Sequence, residues 1–154
     1  MVITSTGAVK AVSKALPELD GKLTGNAIRV PTPNVSLAVI SITVEKSNLN
    51  KGDINEFLRK TAFNSKYREI VGFVNSTEIV SSDFYSSPFA SVIDSQATIV
   101  SDNKITLYCW YDNEYGYSVQ VVNLVKSIAG INLIRLPVNC LLYTSPSPRD
   151  STLS

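Results

Sequence analysis

Apolar residues at Ala8, Val9, Ala11, Val12, Ala15 and Leu16 recur at helical spacing, with Lys10, Ser13 and Lys14 on the opposite face. Ser5 or Thr6 is the natural N-cap, and Pro17 ends the helix or lies in its last turn. Asp20-Gly21 is a turn signal; Asn26 to Val30 then reads as a short strand, and Pro31-Thr32-Pro33 forces an extended segment. From Val35 to Lys46 the chain alternates and carries apolar residues on both faces near its middle. That predicts a central strand, covered on one face and lightly covered on the other. After a loop at Asn48 to Gly52, Asp53 caps a helix through about Thr61 or beyond, with Ile54, Phe57, Leu58 and Ala62 inward.

Shorter pieces follow. Ile70 to Val74 is a strand, Ser76 to Asp83 holds Ile79-Val80, and Phe84 to Pro88 is turn-rich. Ala90 to Ile93 and Ala97 to Val100 read as two strands. Asp102-Asn103 is a tight turn before a clear strand from Lys104 to Tyr111. Links this short make an antiparallel meander. Ser118 then caps a final helix whose Val121, Val122, Leu124, Val125 and Ile128 face the core, and Gly130 stops it. Beyond Gly130 the periodicity vanishes, and Ser145-Pro146-Ser147-Pro148 can be neither helix nor central strand. The expected division is a folded unit over 1–130 and a tail over 131–154.

Composition narrows the function classes. A chain of 154 residues can bury a core, and 44% hydrophobic with 18% charged residues is ordinary globular usage. A net charge of +1 makes no electrostatic case for nucleic acid or an anionic membrane. No apolar run is long enough to span a bilayer, and the first residues lack the charged and apolar regions of a secretory signal. Two cysteines make neither a disulfide framework nor a zinc set, so no metal site is expected. The sequence contains no histidine, which excludes a Ser-His or Cys-His couple made within this chain.

Arg29 is the one charge in the run Ala27-Ile28-Arg29-Val30. A guanidinium in such a setting faces an anion or a cleft, or snorkels to solvent. Thr6-Gly7 offers a hydroxyl, a bare backbone and a helix start, whose first N–H groups can receive an anion. If Arg29 reaches that start, the two form a phosphate cradle; otherwise Thr6 is an ordinary cap. Cys109, flanked by Tyr108 and Trp110 on a strand, reads as a small buried hydrophobe, and Cys140 has no activating neighbour. Asp112 and Glu114 read as solvent-facing carboxylates. The stretch Trp110 to Ser118 crowds three tyrosines, a tryptophan, a glycine and an amide into a strand–helix junction. It either meets a planar ligand or another domain, or is a packed strand–helix corner with a Ser cap.

Several stretches together resemble the glyceraldehyde-3-phosphate dehydrogenase family. They are Ser5-Thr6-Gly7-Ala8 with Lys10-Ala11-Val12, Leu16 to Gly25, Arg29-Val30-Pro31-Thr32-Pro33-Asn34-Val35-Ser36, Ser82-Asp83-Phe84, and Trp110 to Ser118. They occur in the family's order from about Thr4 to about Gly130. The resemblance implies a cytoplasmic, NAD-dependent oxidoreductase of glycolysis that works as a homotetramer. Its substrates are a phosphorylated aldehyde and inorganic phosphate. It also implies an α+β fold, a mixed, largely antiparallel sheet with helices packed on one face. Carried over position by position, Thr6, Gly7 and Arg29 match the phosphate contacts. Asn113 matches the amide that holds the nicotinamide carboxamide, with Tyr117 against the ring.

Departures accompany the match. The family's Ser-Cys-Thr-Thr-Asn-Cys motif, its catalytic histidine and its dinucleotide-binding Rossmann domain are not in this sequence, and Ile3 stands where the family usually has proline. The expectation is therefore a later part of the catalytic domain, with no catalytic residue of its own and no turnover alone. The alternatives are a truncated paralogue that binds phosphate or other subunits, and the related erythrose-4-phosphate dehydrogenase, against which Tyr111 and Tyr117 lean modestly.

Overall fold

The computed structural model describes residues 1–131. The segment read as a tail, with Cys140, lies outside them. The chain opens with strand β1 (Val2–Thr4), which no alternation in the first residues announces. Helix α1 (Ala8–Ala15) follows, and Pro17–Leu19 adds a 3₁₀ turn. Leu16 closes α1 by donating its N–H to Val12 O, so Pro17 starts the next turn rather than interrupting the helix. Strand β2 (Ala27–Arg29) returns antiparallel to β1, pairing Val2 with Arg29, Ile3 with Ile28 and Thr4 with Ala27. No residue from Met1 to Asn34 is buried.

The main sheet is mixed and largely antiparallel, as expected. It contains β3 (Ser36–Thr43), β4 (Val71–Val74), β5 (Ser91–Ser101) and β6 (Lys104–Tyr111), in the order β3-β6-β5-β4. Only β4 and β5 run parallel. Helix α2 (Lys51–Asn64) packs against β4 and β5, with Phe63 edge-to-face on Phe73. Its cap is Asn50, not Asp53: Asn50 Oδ1 accepts the N–H groups of Gly52 and Asp53 at 2.6 and 3.3 Å.

Three further expectations about the strands and the last helix need correction. The strand after Val35 is an edge of the described sheet rather than its centre, and Val39, Ile40 and Ile42 are exposed. The two strands expected at Ala90 and Ala97 are one strand, β5, with an irregularity between Asp94 and Ile99. Polar residues that look like a turn are held inside it. Ser95 Oγ donates to Val74 O at 2.9 Å, Asn55 Nδ2 donates to Ser95 O at 2.9 Å, and Lys51 Nζ donates to Gln96 O at 2.8 Å. The meander therefore reduces to one hairpin, turned at Asp102 with φ +53°.

The third correction concerns the last helix, α3 (Tyr115–Ile128). Ser118 does not cap it; its hydroxyl donates to Glu114 O at 2.8 Å from inside the first turn. Its apolar stripe is not in the core: Leu124 is 61% and Val125 59% exposed, and Gly116 is the helix's buried residue. The periodicity is real, but no described residue buries it. Gly130, at φ +69°, does end the helix. Gly130 N–H reaches Ser127 O and Ile131 N–H reaches Lys126 O, a Schellman pattern.

One buried cluster sits on the face of the sheet away from α2, while Ile93, Ile105 and Cys109 are buried on the other. Val35, Phe84 and Val92 are buried together, with Val74, Ile79, Phe89 and Trp110 packed around them. Phe84 stacks on Trp110 with ring centroids 5.3 Å apart. Cys109 is buried on the opposite face, and burial pushes its thiol pKa up, as an inert structural cysteine requires.

Candidate functional site

The candidate residues fall on two regions. Thr6 and Gly7 lie between β1 and α1. Thr6 Oγ1 accepts the N–H of Ala8 at 3.2 Å, while Gly7 stands at the helix boundary with no side-chain cap of its own. Thr6 therefore supplies the expected hydroxyl, one residue before the boundary. Arg29 lies on β2, opposite Val2 and two ladder steps beyond the Ala27–Thr4 pair that adjoins the helix start. Alternation puts Val2, Thr4, Ala27 and Arg29 on one face of the ribbon. Arg29 is exposed and its guanidinium has no side-chain partner among the described residues. An arginine fork can take a phosphate oxygen pair, but among the described residues no hydrogen bond joins Arg29 to Thr6 or Gly7, and the Ala8 N–H at the helix start is already taken by Thr6 Oγ1. The neighbouring groove of about 510 Å³, lined by Val9, Lys10, Lys14 and Asp20, does not include Thr6, Gly7 or Arg29.

The second region is the junction between β6 and α3. Asn113 and Tyr117 are both exposed there, Tyr117 at 71%. Between Trp110 and Asn113 sits Asp112, which is 4% exposed and not the solvent-facing carboxylate expected. Its Oδ1 accepts the N–H groups of Glu114 and Tyr115 at 2.9 and 2.8 Å, so Asp112 is the side chain that caps α3. Its Oδ2 accepts from Asn34 Nδ2 at 3.1 Å and from Ser86 N–H at 2.9 Å. These donors, first the Tyr115 and Glu114 amides, outweigh burial and hold the carboxyl at a pKa of about 2. Glu114 is exposed and does not pair with Asp112 as an acid–base couple would.

The start of α3 is close against the preceding turn. A Cβ at Gly116 would lie 2.6 Å from Phe89 O, so only glycine fits. Gln120 Nε2 donates to Pro88 O at 3.0 Å, fixing the same contact one turn later. The Trp110–Ser118 stretch is thus a packed corner that leaves Asn113 and Tyr117 outward.

The family model described as glyceraldehyde 3-phosphate dehydrogenase, C-terminal domain, matches residues 1–113. The chain belongs to the glyceraldehyde-3-phosphate dehydrogenase family. Similar proteins agree. A glyceraldehyde-3-phosphate dehydrogenase-like protein of Pseudomonas aeruginosa is 54% identical over 132 residues, which cover 86% of this chain and 28% of that protein. The chloroplastic glyceraldehyde-3-phosphate dehydrogenase GAPB of Arabidopsis thaliana is 48% identical over 84% of this chain and 29% of its own length. Glyceraldehyde-3-phosphate dehydrogenase 3 of Saccharomyces cerevisiae is 44% identical over 84% of this chain and 38% of its own. The chain spans between 28% and 38% of the length of these relatives.

Sequence reasoning missed Asp112 and its partners Asn34 and Ser86. The available signal is Asp112 three residues ahead of the helix, an N-cap residue type in an N-cap position. No sequence signal joins Asp112 to Asn34, which lies 78 residues away. Among the described residues no group of three or more His, Cys, Asp or Glu side chains could hold a metal ion, and no helix is long and apolar enough to cross a membrane.

Proposed function

We propose that this chain is the phosphate-side part of a dehydrogenase that oxidises a phosphorylated aldehyde to an acyl phosphate, with inorganic phosphate and NAD as co-substrates. The single observation that supports this most is the free Arg29 guanidinium on the ribbon that leads into the Thr6-Gly7 helix start. Arg29 binds and orients the phosphate, and the Thr6 hydroxyl and the amides at Gly7 complete the cradle. The reading assigns residues 1–130 to the family's catalytic domain and 131–154 to an appended tail.

When bound, NAD supplies the hydride acceptor. On this chain Asn113 fits the carboxamide, because its amide is exposed and not engaged by another side chain, and Tyr117 offers a ring beside it. Neither residue holds the rest of a dinucleotide. The chain alone does not turn over, because covalent aldehyde oxidation needs a thiolate and a base, and the sequence has no histidine. Glycolytic aldehyde phosphate rather than erythrose-4-phosphate as substrate, a homotetramer and a cytoplasmic site of action complete the proposal.

A second reading, a non-catalytic module that binds other subunits, has one observation in its favour. The apolar stripe of α3 and the outer strand β3 are exposed together. Two measurements decide between these readings. Incubation with glyceraldehyde 3-phosphate, phosphate and NAD should give no NADH; cysteine-dependent reduction would overturn the account of the missing chemistry. Calorimetry should show phosphate binding that Arg29→Ala abolishes; equal binding in both forms removes the cradle.

A further inference from the structure

We propose that Asp112 is a positioning residue that ties the arm carrying Arg29 to the loop carrying Asn113, so that the two groups of ligand contacts keep one fixed spacing. The inference rests on the reading of Arg29 and Asn113 as ligand contacts.

The carboxylate divides its two oxygens between two parts of the chain. Oδ1 closes the ring Asp112-Asn113-Glu114 by accepting the Glu114 and Tyr115 amides, which fixes the backbone on both sides of Asn113. Oδ2 accepts the Asn34 amide at the end of the Pro31-Thr32-Pro33 arm, and the Ser86 N–H from the turn after Phe84. Only a buried carboxylate can accept from all four donors at once. An amide here would aim its own N–H₂ at one pair of them.

The backbone beside Asn34 gives a second, independent indication. Val35 has φ +69°, a left-handed conformation that a β-branched residue adopts only where its surroundings force it. Three contacts do so. Asn34 is held by Asp112, the Val35 side chain is buried beside Phe84 and Val92, and Ser36 pairs with Tyr111 directly before Asp112. The arm therefore leaves the core at a fixed place and angle. The rings of Pro31 and Pro33 limit how far that direction can drift before Arg29.

The test uses the 154-residue chain, amide NMR and inorganic phosphate as the probe. Asn34→Ala removes the arm's link and leaves the carboxylate and the cap of α3 intact. It should shift the Asn113 to Tyr115 amide signals and weaken phosphate binding severalfold, while lowering the urea midpoint less than Asp112→Asn does. Asp112→Asn should do both more strongly and speed exchange of the Ser86 amide on the order of tenfold, the loss of one hydrogen bond to a charged group. If Asp112→Asn does not fold, Asn34→Ala decides alone. Shifted signals with unchanged phosphate affinity would make Asp112 a cap only and overturn the positioning role. Phosphate binding lost in Arg29→Ala but untouched in Asn34→Ala would sink the coupling while sparing the ligand reading. A wild-type chain that binds no phosphate, or an Arg29→Ala chain that binds it equally, would sink both.

Discussion

The ribbon-and-helix unit at the start of the chain and the corner where β6 enters α3 are built on opposite principles. The first has no buried residue through Asn34, yet carries Thr6, Gly7 and Arg29. The second buries Asp112, Gly116, Phe84 and Val92 and exposes Asn113 and Tyr117 at its rim. A ligand contact on the corner inherits its position from a packed core. A contact on the ribbon must get its position from somewhere else, and the described bond that reaches from the corner to the foot of the arm is Asn34 to Asp112. On the proposed reading, the placement of Thr6, Gly7 and Arg29 is borrowed from the corner through that bond.

The most damaging way to break the contrast is Phe84→Ala. Phe84 is 7% exposed and stacks on Trp110, so its loss should cost about 3–5 kcal/mol in urea unfolding. Loss of both the corner and the Asn113 signals is expected; a cost near zero would mean the corner is not the core. Gly116→Ala should cost less, about 1–3 kcal/mol, because the new methyl meets Phe89 O and the first turn of α3 must move. Exchange of the Tyr115 and Tyr117 amides should rise with it.

Acid sharpens the comparison without mutation. Asp112 titrates at about 2 in the folded chain against an ordinary 3.8, so protons bind the unfolded state more readily. The stability that this carboxylate contributes is complete above its unfolded value and is lost as pH falls from about 3.8 toward 2. Wild type should lose stability in that window, and Asp112→Asn should lack that part of the loss. Parallel pH profiles would show that the carboxylate is not held as described. The smallest effect should come from Leu124→Ala. A residue 61% exposed on α3 changes the stability of this chain by less than about 0.5 kcal/mol. A larger cost would mean that the α3 stripe is covered in solution.

Much of the fold was legible locally. The α1 period, the Lys104 to Tyr111 alternation, the Asp102-Asn103 turn and the Gly130 stop are each written within a few residues, and each is where the pattern placed it. What failed depended on distant partners. Asp94-Ser95-Gln96 reads as a turn until Val74, Asn55 and Lys51 arrive to bond it. The stripes on β3 and α3 read as core because periodicity reports which face is apolar, not what covers it. Asp112 looked solvent-facing because two of its four donors come from residues 78 and 26 positions away. Of the site, the residue identities came from family motifs. The free state of Arg29 and the buried carboxylate behind Asn113 came from the structure.

The most direct test of the account is a titration of inorganic phosphate into the ¹⁵N-labelled chain. The signals of the Gly7 and Ala8 amides and the Arg29 Nε–H should move together along one saturable curve, and Arg29→Ala should flatten the two amide curves. Shifts spread over the exposed lysines, with Gly7 and Arg29 unmoved, would contradict a phosphate site at the mouth of α1.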